Sequence, residues 1–156
     1  MTIRTATEAD LEQISLLAEE VAALHHLNQP VVFAEPNSSR DRAFWLKCIT
    51  ESDATVQVAS DDDRILGFIT AKVASPSSLP FLKRRTICSI GTIAISAATQ
   101  RKGIGTALIH SIECWAKSQS ATEIRLEVFD FNTPAMLFYT RLGYATQSHL
   151  MRKGLS

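Results

Sequence analysis

The chain has 156 residues, of which 46% are hydrophobic and 21% are charged, and its formal net charge is zero at pH 7. This length and composition predict a single domain over residues 1–156 with a buried core. Because a neutral chain has no overall field that attracts polyanions, we expect neither nucleic acid nor an anionic membrane as a partner.

The sequence also lacks the signals of membrane insertion, export and zinc binding. No run reaches the roughly 18 apolar residues of a membrane helix, and the first residues, MTIRTATEADLEQ, are more polar than a signal peptide. Cys48, Cys88 and Cys114 are far apart and show no CxxC spacing, so we expect buried, reduced thiols and no metal site. These observations favour a cytoplasmic location.

The first half of the chain alternates predicted strands and helices. Residues 2–6 suit a strand, and Thr7 followed by Asp10 is typical of a helix N-terminus. Six apolar residues then recur at helical spacing, which predicts a helix with one core face: Leu11, Ile14, Leu17, Ala18, Val21 and Leu24. The other predicted elements of this half are a helix at 40–49, strands at 55–60 and 65–73, and a loop at 75–81.

The second half contains the most strand-like run of the chain, TICSIGTIAIS, at residues 86–96. Simple alternation places Ile87, Ile93 and Ile95 on one face and Cys88, Ile90 and Ala94 on the other, which is typical of a central, covered strand. Gly91 interrupts the run and indicates a bulge or a close backbone approach. The remaining predicted elements are a helix at 104–115, a strand at 123–129, a helix from 133 that stops at Gly143, and a closing strand at 144–151.

The stretch TQRKGIGTALI, at residues 99–109, places a flexible, cationic corner directly before a helix. A helix N-terminus carries free N–H groups and the positive end of the helix dipole. Gly103 and Gly105 let a phosphate approach the backbone closely, and Arg101 and Lys102 add positive charge, so the corner is a candidate anion site. In the alternative interpretation, the glycines only allow the helix to begin and to pack on the sheet.

Two common phosphate-binding motifs do not match this corner. The P-loop pattern GxxxxGK[ST] is absent, and Leu108 stands where the dinucleotide fingerprint GxGxxG has its third glycine. We therefore expect no nicotinamide dinucleotide, although Glu127 has the spacing of an acidic ribose partner.

Two segments, IAISAATQRKGIGTALI and LEVFDFNTPAMLFYTRLGY, resemble the GNAT superfamily of acetyl-CoA-dependent N-acetyltransferases. The pattern Q-x-x-G-x-G at 100–105 resembles the family's pyrophosphate loop, and N-x-x-A-x-x-x-Y at 132–139 resembles a second family segment. The resemblance implies an α/β fold with a twisted, mostly antiparallel mixed sheet of six to seven strands. It also implies a splayed parallel pair formed by the fourth and fifth strands, and about four flanking helices.

The resemblance further implies acetyl-CoA as co-substrate and no metal. The backbone at 93–95 would hydrogen-bond the pantetheine arm, as an added strand pairs with a sheet edge. N–H groups from Arg101 to Thr106 would hold the pyrophosphate, and Asn132 would touch the pantetheine or cap its own helix. The candidate cofactor-binding residues are Ile93, Ala94, Ile95, Gln100, Arg101, Lys102, Gly103, Ile104, Gly105, Thr106 and Asn132. Ala97 and Arg101 replace a proline and a glycine that are frequent in the family, and neither change removes an N–H.

Acetyl transfer from a thioester to an amine requires a neutral amine, a polarised carbonyl and a proton for the departing thiolate. The resemblance makes Tyr139 the candidate acid for the thiolate; the alternative is a core tyrosine on the apolar face of its helix. A backbone N–H of Ile93 or Ile95 is the candidate donor to the carbonyl oxygen.

The group that deprotonates the amine is less clearly marked. The strand at 86–96 contains no Asp or Glu, so Glu127 is the candidate base. The alternatives are that Glu127 only faces solvent, that a water chain removes the proton, or that there is no dedicated base. His25, His26 and Glu35 lie where the family's acceptor-binding segment runs, although two histidines at a helix end are also typical of solvated capping.

The sequence therefore predicts an N-acetyltransferase that acts on a primary amine, carried by a small molecule or by a peptide or protein. The alternative is a non-catalytic acyl-CoA-binding or sensing module, against which the retained Tyr139 argues. We expect a monomer or a homodimer. The sequence does not identify the amine acceptor.

Overall fold

The computed structural model of the chain describes residues 1–75 and 79–155, so part of the predicted loop at 75–81 lies outside the described residues. The strands are β1 (Thr2–Thr5), β2 (Ala54–Asp61), β3 (Arg64–Ala74), β4 (Ile87–Ile95) and β5 (Glu123–Arg125). The helices are α1 (Leu11–Asn28), α2 (Ser38–Thr50), α3 (Ile104–Ser118) and α4 (Thr133–Arg141). None of these helices is long and apolar enough to cross a membrane.

The five strands form one mixed sheet in the order β1-β2-β3-β4-β5. Neighbouring strands are antiparallel except for β4 and β5, which are parallel. This parallel pair is short, because its register runs only from Ile87 opposite Glu123 to Ser89 opposite Arg125. Beyond that point β4 continues to Ile95 without a strand on this side in the described chain. The fold class, a mixed sheet with a splayed parallel pair and four helices, is thus confirmed.

The predicted number of strands is wrong at the C-terminal end of the sheet. The described residues form five strands rather than six to seven, and the segment 144–151 has no regular secondary structure. The strand predicted at 123–129 already ends at Arg125. The physical reason is that a strand needs a neighbour to satisfy its backbone. Residues 126–129 have left β4, and β5 is too short to support a closing strand.

Apolar side chains cover both faces of the sheet. The core beneath α1 and α2 includes Leu11, Ile14, Leu17, Ala18, Trp45, Val58, Phe68 and Ala94. The core beneath α3 and α4, which we call the α3-side core, includes Ile69, Cys88, Ile90, Leu108, Ile109, Ile112 and Tyr139. Strands buried on both faces have continuous apolar runs, which explains the sequence of β4.

The bulge predicted at Gly91 is confirmed by the register of β3 and β4. Ile69 lies opposite Ile93, whereas Ala71 lies opposite Ile90, so β4 contains one extra residue across from Thr70. A Cβ on Gly91 would lie 2.9 Å from Thr70 Oγ1, and the N–H of Thr92 donates to that same oxygen at 2.9 Å. The glycine therefore makes room for a side-chain hydrogen bond that replaces a missing rung of the ladder.

The same bulge corrects the predicted faces of β4. Cys88 and Ile90 were expected to share a face with Ala94, but they belong to the α3-side core. They share that side with Ile93 and Ile95, which are partly buried against the same core, and only Ala94 joins the core beneath α1. An extra residue reverses the alternation beyond it, so simple counting fails across a bulge.

The turn that leads into α1 is held by an ion pair between Arg4 and Asp10. The Arg4 guanidinium donates two hydrogen bonds of 2.7 and 2.8 Å to the Asp10 carboxylate, and the Thr7 N–H donates a third at 2.8 Å. These contacts confirm the predicted helix N-terminus. The hydrogen bonds from Arg4, ahead of that from Thr7, lower the pKa of the Asp10 carboxyl to about 2.

We expect Asp10→Asn to lower the stability at pH 7 and to make it less sensitive to acid. Because folding lowers the pKa of Asp10 from its ordinary 3.8, its stabilising contribution is complete above about pH 4 and disappears as the pH falls toward 2. Since the Arg4 side chain is 42% exposed, solvent screening reduces this contribution to about 1–2 kcal/mol. Urea unfolding at pH 7 and pH 3 measures it, with Asp41→Asn as the control for an exposed ion pair. An equal acid-induced loss in the wild type and in Asp10→Asn would contradict the prediction.

Candidate active site

The separation of β4 from the residues after β5 leaves one edge of β4 open. The N–H of Ser96 donates to the carbonyl of Leu66 at 2.9 Å, and that of Thr92 donates to Thr70, so both point toward β3. Successive N–H groups along a strand point to alternate sides. The N–H and C=O groups of Ile93 and Ile95 therefore point away from β3, into the gap between β4 and the residues that follow β5.

At the end of this edge, a short loop turns the chain into α3. Arg101 has a φ of 62° and Gly103, the N-cap of α3, has a φ of 79°, so both are left-handed. A left-handed residue followed by a helical one aims consecutive N–H groups at a common concavity. The N–H of Ala107 donates a hydrogen bond to the Gly103 carbonyl at 3.0 Å. The N–H groups of residues 104–106 have no partner within the described residues.

We call these three N–H groups, of Ile104, Gly105 and Thr106, the amide cradle. No atom lies within 4 Å of the position that a Cβ on Gly103 would occupy, so the chain's own side chains do not fill the space above this residue. Gln100, Arg101 and Lys102 precede the cradle and are exposed. Neither cation forms an ion pair in the described part of the chain. Free donors and two unpaired cations next to a helix N-terminus suit an anionic ligand.

The two glycines of the corner also have structural reasons to be glycine. Gly103 adopts a left-handed conformation that costs other residues free energy. A Cβ on Gly105 would lie 3.2 Å from the Phe138 ring, so this glycine lets α3 approach α4. Gly105 therefore has a packing reason, although against α4 rather than the sheet as the alternative expected, and the case for an anion rests on the free N–H groups.

Asn132 caps α4, because its side-chain oxygen accepts a hydrogen bond from the Ala135 N–H at 3.2 Å. This observation confirms the capping alternative for Asn132. Its amide nitrogen makes no hydrogen bond within the described residues, so it remains free to donate.

Tyr139 lies on α4 in the α3-side core, with only 7% of its surface exposed. Its ring packs against Phe138 and Tyr144, at centroid distances of 5.2 and 5.7 Å. Burial raises the pKa of the Tyr139 phenol to about 12. Tyr139 is thus a buried core tyrosine whose phenol keeps its proton at neutral pH.

Glu127 is exposed and lies between two residues that pack against the α3-side core. Its neighbours Leu126 and Val128 pack against that core. The Glu127 side chain is exposed and makes no hydrogen bond or ion pair within residues 1–75 and 79–155. No contact therefore orients this carboxylate.

Three phenylalanine rings pack against His25 near the end of α1. The His25 ring lies 4.8 Å from Phe33, 5.9 Å from Phe129 and 5.4 Å from Phe131 between centroids. Phe33 comes from the loop after α1, and the other two rings come from the segment between β5 and α4. Sequence reasoning selected His25 but missed these three phenylalanines. The repeated phenylalanine of FDF was the available signal.

The other residues of the expected acceptor segment have structural partners. His26 places its Nδ1 2.8 Å from the Phe33 carbonyl and so fastens the loop after α1. The carbonyl of Glu35 accepts a hydrogen bond from Arg40 at 3.3 Å, while its side chain is exposed. His26 therefore supports the loop that carries Phe33.

The three cysteines differ in burial, whereas the sequence predicted that all of them would be buried. Cys88 is buried, and burial raises the pKa of its thiol to about 11. Cys48 is half-buried, whereas Cys114 is exposed, so the prediction of a buried thiol is wrong there. The exposed position follows from its place on the outer face of α3. The described residues contain no group of His, Cys, Asp and Glu side chains arranged to hold a metal.

Residues 19–144 match the Acetyltransferase (GNAT) family, so the chain belongs to this family. The resemblance drawn from the sequence is thereby confirmed. An N-alpha-acetyltransferase of Sulfurisphaera tokodaii is 30% identical over 106 residues. This match covers 65% of the chain but only 62% of the relative's own length.

Solved structures confirm the fold. A mutant of the BH1408 protein from Bacillus halodurans has a TM-score of 0.91 and 27% identity, and the match covers all of both chains. Aminoglycoside N-acetyltransferase AAC(6')-Iy, solved in complex with CoA, has a TM-score of 0.74 and 14% identity, with 99% of each chain covered. At that low identity the likeness shows the shared fold.

Proposed function

We propose that the chain is an N-acetyltransferase that moves an acetyl group from acetyl-CoA to a primary amine by direct attack. One observation carries the proposal: the open edge of β4 leads directly into the amide cradle at the start of α3. The β4 edge offers N–H and C=O groups to a ligand arm that contains amides, and the amide cradle offers N–H groups to a diphosphate. Family membership supports the same assignment.

The residues present fit acetyl-CoA, whose thioester supplies the acetyl group. Ile93 and Ile95 would pair with the two amides of the pantetheine arm. The amide cradle, with Arg101 and Lys102, would hold the diphosphate. The free amide nitrogen of Asn132 is a further donor toward the arm.

Acetyl transfer needs a base for the amine, a donor to the carbonyl oxygen and an acid for the departing thiolate. An alkylamine has a pKa of about 10.4 and is mostly protonated at pH 7, so it must lose a proton before attack. The N–H of Ile93 or Ile95 would stabilise the negative charge that develops on the carbonyl oxygen, an effect worth about 3 kcal/mol. Tyr139 would donate its proton to the departing thiolate. Glu127 is the carboxylate candidate for the base.

The acceptor class is proposed at the level of a primary amine. One relative is an N-alpha-acetyltransferase and one structural neighbour is an aminoglycoside N-acetyltransferase, so relatives of both kinds modify amines. We propose further that residues 1–156 act as one cytoplasmic domain, as a monomer or homodimer.

The test is a panel of amines with release of free thiol from acetyl-CoA as the readout. The panel contains a peptide with a free N-terminus, a lysine peptide, a polyamine and an aminoglycoside. We expect acetyl-CoA to raise the melting temperature, since it binds only the folded state, and at least one amine to release thiol in proportion to acetylated product. Stabilisation without thiol release from any amine would favour the non-catalytic binding module. Absence of both would refute the cofactor assignment.

A further inference from the structure

His25 has a defined tautomer. Its Nδ1 lies 2.8 Å from the carbonyl oxygen of Val21 in the preceding turn of α1. A carbonyl oxygen only accepts hydrogen bonds, so Nδ1 carries a proton. In the neutral ring, Nε2 is then the proton acceptor, and it has no hydrogen-bond partner among the described residues. The ring thus presents an unpartnered Nε2 to its surroundings.

The three phenylalanines around this ring shape its environment. Phe33, Phe129 and Phe131 contact it at steep interplanar angles of 61°, 85° and 77°. These rings are half-buried, as is His25, and they offer the imidazole an apolar surface with no polar group. An ammonium that enters such a site loses hydration, which favours its neutral form.

Helix α1 connects the core beside β4 with the segment after β5. Earlier turns of α1, at Ile14 and Ala18, belong to the same core as Ala94 of β4. Its last turns reach the segment after β5, where His25 contacts Phe129. The helix therefore runs from the core beside β4 to the segment that contains Phe129 and Glu127.

Resting on the proposed function, we infer that Nε2 of His25 removes the proton from the acceptor ammonium. The amine lone pair then forms the C–N bond to the acetyl carbon, and the C–S bond breaks. The thiolate takes a proton from Tyr139, and Tyr139 recovers one from the acetylated nitrogen. The proton on His25 leaves to solvent, so the step yields an amide, a free thiol and one proton.

The surroundings distinguish His25 from the other titratable groups nearby. On α1 the adjacent titratable residue is His26, and Glu12, Glu19 and Glu20 lie in its earlier turns; the segments that carry the three phenylalanines contribute Glu35, Glu127 and Asp130, and these three carboxylates are exposed. None of the three makes a side-chain hydrogen bond within the described chain, so nothing orients them as Val21 orients His25. His26 also presents Nδ1 to a carbonyl, but its ring has no contact with Phe129 or Phe131.

The test compares His25→Asn with His26→Asn, because the asparagine amide can replace the Nδ1–H donor of either ring and removes the basic nitrogen. We expect His25→Asn to lower kcat at pH 7 by about 100-fold, with KM nearly unchanged. Its kcat should then rise about tenfold per pH unit through the neutral range, because hydroxide must deprotonate the amine. The wild type should instead reach a plateau. Added imidazole should restore part of the rate in His25→Ala but not in the wild type.

Several results would overturn the inference. One is a His25→Asn variant that keeps the wild-type plateau, and another is equal loss of activity in the two asparagine variants without imidazole rescue. Loss of the plateau in Glu127→Gln instead would assign the proton to the carboxylate. If the wild type releases no thiol with any amine, the proposed function fails first and this inference fails with it.

Discussion

Tyr139→Phe is expected to lower kcat for acetyl transfer by about 100-fold while the affinity for acetyl-CoA stays nearly constant. The substitution removes one hydroxyl and keeps the ring that packs against Phe138 and Tyr144. Burial raises the pKa of Tyr139 from 10.0 to about 12. The phenol therefore keeps its proton across the neutral and mildly alkaline range, and its titration should not lower the wild-type rate there.

Tyr144→Phe is the matched control for this experiment. Burial likewise raises the pKa of Tyr144 to about 12. Its hydroxyl is buried and has no hydrogen-bond partner in the part of the chain that the structure describes. Removing an unsatisfied buried hydroxyl should leave kcat unchanged and stabilise the protein by about 1 kcal/mol. Stopped-flow thiol release measures kcat for both variants. Equal kcat in Tyr139→Phe and the wild type would leave Tyr139 with a packing role alone.

Thr106→Pro is expected to weaken acetyl-CoA binding by about 10- to 100-fold. Proline removes one N–H of the amide cradle, and a hydrogen bond to a charged group contributes about 1.5–3 kcal/mol. The first turn of a helix tolerates proline because its N–H groups have no partner within the helix. The N–H of Thr106 has no partner within the described residues, so the helix loses no internal bond.

Thr106→Ala provides the control, because alanine removes the hydroxyl and keeps the N–H. Calorimetric titration with acetyl-CoA and with S-acetylpantetheine, which lacks the diphosphate, separates the contributions. We expect Thr106→Pro to lose affinity for acetyl-CoA and to bind S-acetylpantetheine as the wild type does. Equal loss in the proline and alanine variants would place the diphosphate away from this N–H.

Local patterns in the sequence predicted most of the elements that position the site. The helix N-terminus at Thr7 and Asp10, the bulge at Gly91 and the start of α3 after Gly103 each depend on a few neighbouring residues. Such features follow from backbone geometry and short-range hydrogen bonds, which the sequence displays directly.

The features that the sequence did not predict depend on distant partners. The closing strand at 144–151 is absent because its neighbour β5 is only 3 residues long, which its own apolar residues do not reveal. The faces of β4 change across the bulge because register is set by β3. The ring group around His25 joins three separate segments, so periodicity within any one of them does not show it.

The central claim is that the amide cradle holds a diphosphate while the edge of β4 holds the attached arm. Amide chemical shifts measured during titration with CoA and with pantetheine test it most directly. We predict that the N–H signals of Ile104, Gly105 and Thr106 move with CoA and not with pantetheine, whereas those of Ile93 and Ile95 move with both. Cradle signals that stay in place at saturating CoA would contradict the account.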